Sequence, residues 1–158
     1  ANKAAILAAG GNLDMLASAM METELMNSDY TLGDGKTNDS FNAGVCKQNW
    51  GMIRTCHPAW RGMTASQFMT SAAMNADRAL DATVYEECRA HFGESWLAGH
   101  RNGASGLQNP NTADIQRFRA GYEWTRAQIG TAHQCDDVRF WVTIPAIHVI
   151  TPDAVPAE

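Results

Sequence analysis

The chain has 158 residues, 45% of them apolar and 18% charged, with a net charge of −5. This is the size of one globular domain, long enough to bury roughly 70% of the surface its unfolded chain exposes. The acidic balance and the lack of a basic stripe exclude the usual nucleic-acid footprint, and no apolar run approaches the ~20 residues that span a bilayer.

In chain order, residues 3–9 are Ala-rich and predict a short helix stopped by Gly10-Gly11. Asn12 is a plausible N-cap for a helix over Leu13–Met26. Its apolar residues occupy most sides (Leu13, Leu16, Ala17 and Met20 on one stripe; Met15, Ala19 and Met26 on another), the pattern of a buried central helix. The stretch 27–42 changes character and is dense in Gly, Asp, Asn, Ser and Thr. Tyr30-Thr31-Leu32 and the segment after Gly35 predict a small hairpin or irregular ribbon turning at Gly33-Asp34-Gly35. Residues 43–53 read as helical or extended. Thr64 and Gln67 form a capping-box pattern ahead of a helix over 65–80, and a second helix follows over 81–92 to Gly93. A short helical turn over 94–98 leads into the Gly/Asn-rich "GHRNGASGLQNPN", expected as a loop. Asn111 or Thr112 caps a further helix ending at Ile129 before Gly130. The tail 131–158 is expected to be extended, with "RFWVTI" a short strand or a wrapped tail. The fold class is therefore α+β, mostly helical, in one domain over 1–158 with a small β-hairpin.

Cys46, Cys56, Cys88 and Cys135 contain no C-x-x-C pair, and no His lies at zinc-finger spacing from them. They point to two disulfides in an oxidising compartment. Of the three connectivities, Cys46–Cys56, closing a short loop, and Cys88–Cys135 are expected. The opening Ala1-Asn2-Lys3 fits a processed, secreted chain. His57, His91, His100, His133 and His148 show no H-x-x-x-H spacing, so no metal is expected, and no cofactor motif is present.

Chemistry centres on acidic residues. Glu22 falls late in the buried helix, with Ser18, Ala19, Leu25 and Met26 one turn away. A carboxyl in an apolar wall resists ionisation, as a general acid requires. Asp34 sits in a Gly-flanked polar loop where backbone N–H groups and water keep a carboxylate charged. Two carboxyls in opposed environments are the signature of glycoside hydrolysis. Periodicity alone does not choose between Glu22 and Glu24, and an Asp between glycines is often only a turn former.

The stretch "MMETELMNSDYTLGDGKTNDSFNAGVCKQNWGMIR", residues 20–54, resembles the signature of glycoside hydrolase family 134, and "WLAGHRNG", residues 96–103, resembles a second block of it. The likeness extends over most of residues 5–150. It implies a lysozyme-like fold and hydrolysis of β-1,4-mannan with inversion. The family's acid falls on the first Glu of the M-E-T-E/D run, Glu22, and its base on the Asp of Y-x-x-G-D, Asp34.

A mannan partner is neutral and hydroxyl-rich, so its site needs amides, hydroxyls and aromatic faces. Lys36 and Asn38 follow the base in its loop. Gln48, Asn49 and Trp50 combine two amides with a ring, and His100, Arg101 and Asn102 share the Gly-rich segment. Each has a plainer role: Trp50 as core, Gln48 or Asn49 as a cap, Arg101 as a structural ion pair. Tyr122 and Trp124 read as helix core and flank. The expectation is a secreted, monomeric endo-mannanase without cofactor, nucleic-acid partner or membrane attachment. The competing readings are a hydrolase of peptidoglycan or chitin-type chains and a non-enzymatic secreted binding module.

Overall fold

A computed structural model describes residues 2–144 and the backbone of 156–157. Of the tail expected to be extended, residues 145–155 lie outside the described residues. The architecture is mostly helical α+β. Helices α1 (Asn2–Ala8) and α2 (Leu13–Glu22) lead to a two-stranded hairpin, β1 (Asn42–Ala43) with β2 (Gln48–Asn49). Then come α3 (Trp50–Cys56), α4 (Ala72–Ala76), α5 (Arg78–Phe92), α6 (Trp96–Gln108) and α7 (Ala113–Ile129). Strand β3 (Arg139–Phe140) pairs antiparallel with β4 (Pro156–Ala157). Among the described residues no helix is long and apolar enough to cross a membrane.

Helix α2 is the central helix its sequence predicts. Asn12 caps it by accepting from the Met15 N–H at 3.0 Å, and Met15, Leu16, Ala17, Ala19 and Met20 are all buried. Its one buried hydroxyl is satisfied, Ser18 Oγ lying 3.0 Å from Tyr85 Oη, as burial of a polar group demands. The helix stops at Glu22, a turn earlier than predicted. Thr23 is extended, and its Oγ1 donates back to the Ala19 carbonyl at 3.1 Å, competing with continuation of the helix. Leu25 and Met26 therefore leave the helix: Met26 is buried in the core, and Leu25, exposed, borders the recess that contains Glu22.

Other boundaries move for equally local reasons. The predicted 65–80 helix begins at its capping box but runs as a 3₁₀ helix over Ala65–Ser71, then as α4, and breaks at Asp77. The Asp77 carboxylate accepts from the N–H groups of Ala79 and Leu80 and starts α5 there. The segment expected to be a Gly-rich loop is helical: α6 tolerates its glycines by bending at Gly103, where φ is +58°, a conformation glycine adopts without penalty. Thr112 caps α7 and Gly130 ends it, as predicted.

The disulfide expectation needs correction. Cys56, at the end of α3, joins Cys88 in α5 across a Cα–Cα distance of 5.0 Å. Neither Cys46–Cys56 nor Cys88–Cys135 forms. Cys46 is fully buried in the β1–β2 turn, its Sγ facing the Met15 carbonyl at 3.7 Å, and Cys135 is exposed. Loop length favoured the neighbour in sequence; packing of α3 on α5 selected the neighbour in space. Titration of the native protein with a thiol reagent is expected to find one fast cysteine, Cys135. Reduction of Cys56–Cys88 should cost about 2–4 kcal/mol, read as a lower urea midpoint. Two fast thiols, or an unmoved midpoint, would contradict the assignment.

The β1–β2 turn is held from below by α4 and α5. The Gly44 N–H donates to Asn75 Oδ1 at 2.7 Å, its carbonyl accepts from Tyr30 Oη at 2.6 Å, and the Val45 N–H donates to Asp81 Oδ2 at 2.8 Å. Asp81 is fully buried and also ion-paired to Arg78. Burial pushes its carboxyl up to about 6, against the opposing pull of the Val45 N–H and Arg78. This clamp fixes the turn that carries Lys47.

Candidate active site

Glu22 stands at the C-terminal end of α2, half-buried, and meets α6 through His100, whose Nε2 lies 3.0 Å from Glu22 Oε1. The His100 side chain is 4% exposed, and its ring stacks nearly parallel on Trp96 at 4.6 Å. Its Nδ1 is buried with no partner. An orphaned buried N–H is rarer than an orphaned acceptor, so the favoured neutral tautomer carries its hydrogen on Nε2 and donates to Glu22. His100, expected to touch sugar, thus bonds to Glu22 as well as lining the cleft.

Asp34 sits at the turn its flanking glycines announced. Gly33, Asp34 and Gly35 all have positive φ, +55° at Asp34. Gly33 is required twice over, because a Cβ there would meet the Phe41 ring at 2.4 Å. The expected pairing of 30–32 with the segment after Gly35 does not form. Instead the turn is pinned by reciprocal backbone bonds between Gly33 and Asn42 (2.9 and 3.3 Å), which attach it to the start of β1. Lys47, from the far end of the β1–β2 turn, donates to Asp34 Oδ2 at 3.0 Å and lies over the Tyr30 ring. Lys47 and Tyr30 also line a recess of about 220 Å³ that contains Glu22, so one lysine links the surroundings of the two carboxyls.

A cleft of about 440 Å³ opens beside His100. Of the predicted sugar-contacting residues, Lys36, Asn49, His100, Arg101 and Asn102 line it, and Asn38, Gln48 and Trp50 do not. Trp50 is fully buried and packs against Trp60, so it is a core residue and presents no stacking face. Gln48 is 1% exposed, and neither amide atom has a partner. Asn38 is exposed in a 3₁₀ turn, its carbonyl accepting from Phe41. The Asn49 amide is occupied structurally: Oδ1 caps α3 by accepting from the Met52 N–H at 3.0 Å, and Nδ2 donates to the Gly99 carbonyl at 3.1 Å.

The two arginines on the cleft rim are each paired with a carboxylate. Arg54 makes a two-pronged contact with Asp39 at 2.9 and 3.1 Å, and Arg101 does the same with Asp114 at 3.1 Å on each arm. The hydrogen bonds from these guanidinium groups hold both carboxyls below the usual carboxylate range. Asn102 also donates to Asp114. Sequence reasoning missed Lys47, Asn42 and the Asp39–Arg54 pair. Lys47 lay inside the quoted signature stretch, but nothing local marked it: its meeting with Asp34 depends on the Gly33–Asn42 bridge.

Glu22 on a helix end reaches the cleft through His100, and Asp34 in a separate turn is held by Lys47, which lines the recess around Glu22. The chain belongs to glycosyl hydrolase family 134, whose model matches residues 1–144. It is a glycoside hydrolase, and its substrate is a carbohydrate. No curated protein matches the chain.

Proposed function

We propose that the protein cleaves β-1,4-mannan within the chain, with inversion, using Glu22 as general acid and Asp34 as general base. The observation that carries this reading is the division of partners: Glu22 is bonded to a buried imidazole, and Asp34 to an ammonium. His100 occupies Oε1 of Glu22, leaving Oε2 to carry the proton to the glycosidic oxygen. Lys47 occupies Oδ2 of Asp34, leaving Oδ1 to take a proton from water. An ionised carboxylate only accepts hydrogen bonds, which suits a base. As the bond to the leaving oxygen breaks, Glu22 protonates that oxygen. The water activated by Asp34 attacks the anomeric carbon from the opposite face through an oxocarbenium-like transition state. Inversion asks for a carboxyl separation of roughly 6.5–9.5 Å, enough to admit that water.

Electrostatics as well as the family support a neutral substrate chain. The rim arginines are already compensated by Asp39 and Asp114, Lys36 is the one further lysine among the described lining residues, and the chain is net acidic, so little field attracts an anionic polymer. A neutral chain of hydroxyls matches the amides and the lysine that remain. The Cys56–Cys88 bridge fits work in an oxidising, extracellular setting.

The test is reducing-sugar release from linear mannan, chitin oligomers and peptidoglycan in parallel, with the anomer of the newborn mannan product read by NMR. Release from mannan with the α-anomer appearing first is expected. Release only from the other two polymers would favour the lysozyme-like alternative, no release from any would favour a binding module, and a β-anomer first would make Asp34 a nucleophile.

A further inference from the structure

The recess beside Glu22 does not end with the helix. Glu24 and Leu25 line it and also line a second hollow of about 270 Å³, bounded on its other side by Arg139 and Trp141. Among the described residues three large apolar side chains stand well exposed: Leu25 at 65%, Met69 at 56% and Trp141 at 39%. Two of these three border this one hollow, a clustering of apolar surface that marks a contact site more than scattered exposure does.

The hollow is also tied to the acid-bearing helix. Arg139 is 8% exposed and donates from Nη2 to the Met20 carbonyl of α2 at 2.7 Å. Its guanidinium carbon lies 4.0 Å from the Trp141 ring centroid, steadying the indole from one side. Its Nε and Nη1 are buried without a partner, so the polar groups offered to the hollow are those of other lining residues, Asn2, Glu24 and Asp136 among them. An aromatic face, an apolar rim and hydrogen-bonding groups are what a neutral sugar ring needs: its C–H face lies on the indole and its hydroxyls reach polar atoms. Glu24, Asp136 and Asp137 outnumber Lys3 and Arg139 in the lining, so it offers no excess of positive charge to an anion.

We propose that this hollow is a remote subsite of the substrate groove, in which Trp141 stacks on a mannosyl unit of a chain that runs past Glu22 and over Leu25. The assignment rests on the mannan reading above and adds a length dependence to it. The experiment compares kcat/KM on mannohexaose with kcat/KM on mannotriose for the wild type, Trp141→Ala, Trp141→Phe and Leu25→Asp. The hexaose-to-triose ratio should fall on the order of tenfold, equivalent to about 1.4 kcal/mol of binding, in Trp141→Ala. It should fall in Leu25→Asp also, and be largely retained in Trp141→Phe. Because the readout is a ratio within one preparation, partial misfolding of a variant does not move it, and Leu25 makes no core contact that could confuse the result. An unchanged ratio in both Trp141→Ala and Leu25→Asp, with the wild type still cutting mannan, overturns the subsite and leaves the mannan reading standing. If the wild type cuts neither oligosaccharide, the mannan reading fails and takes the subsite with it.

Discussion

If Glu22 is the general acid proposed, Glu22→Gln is expected to lower kcat on mannan by about 100- to 10,000-fold, the usual contribution of a positioned general acid, with KM little changed. The loss is chemical, because an amide keeps the shape of the carboxyl and can still accept from His100 Nε2, so the helix end and the melting temperature stay near those of the wild type. The signature that separates an acid from any other essential residue is its dependence on the leaving group. Hydrolysis of a manno-oligosaccharide bearing an acidic phenol needs little proton donation, and Glu22→Gln should recover much of its rate on such a substrate. Near wild-type turnover on mannan, or an equal deficit on both substrates, would remove Glu22 from the acid role. Glu24 would then be the next candidate; it is exposed and lines the same recess.

Asp34→Asn is expected to fall by a similar factor, about 100- to 10,000-fold, but without that rescue, because a better leaving group does nothing to activate water. The substitution leaves Lys47 without its anionic partner. The pair is partly exposed, at 18% and 33%, so stability should change by no more than about 1 kcal/mol. The positive φ at Asp34 is one that Asn tolerates as readily, which protects the turn. The measurement is kcat on mannan and on the activated substrate for both variants side by side. Rescue of Asp34→Asn instead of Glu22→Gln would exchange the two roles, and rescue of neither would place both residues outside direct proton transfer.

The clamp beneath the β1–β2 turn explains how an irregular, Gly-rich loop can hold Asp34 in place. Asn75, Tyr30 and Asp81 each satisfy a backbone group of Gly44 or Val45, and the turn they fix delivers Lys47 to Asp34. Rigidity comes from these hydrogen bonds, two of them to helices α4 and α5, where a two-residue strand pairing would be marginal alone.

Local patterns in the chain were enough for the central helix, its Asn12 cap, the capping box at Thr64 and Gln67, the Thr112 cap, the Gly130 stop and the turn at Gly33-Asp34-Gly35. All of these are decided within a few residues by hydrogen bonding and allowed φ. The family, too, was readable from residues 20–54 and 96–103. Tertiary structure alone decided the Cys56–Cys88 pairing, the buried place of Trp50, the helical course of 96–108 through its glycines, and the meetings of Glu22 with His100 and Lys47 with Asp34. Each of these depends on which surfaces pack together across long stretches of chain, and contact energies between distant residues override the short-range preferences from which a sequence is read.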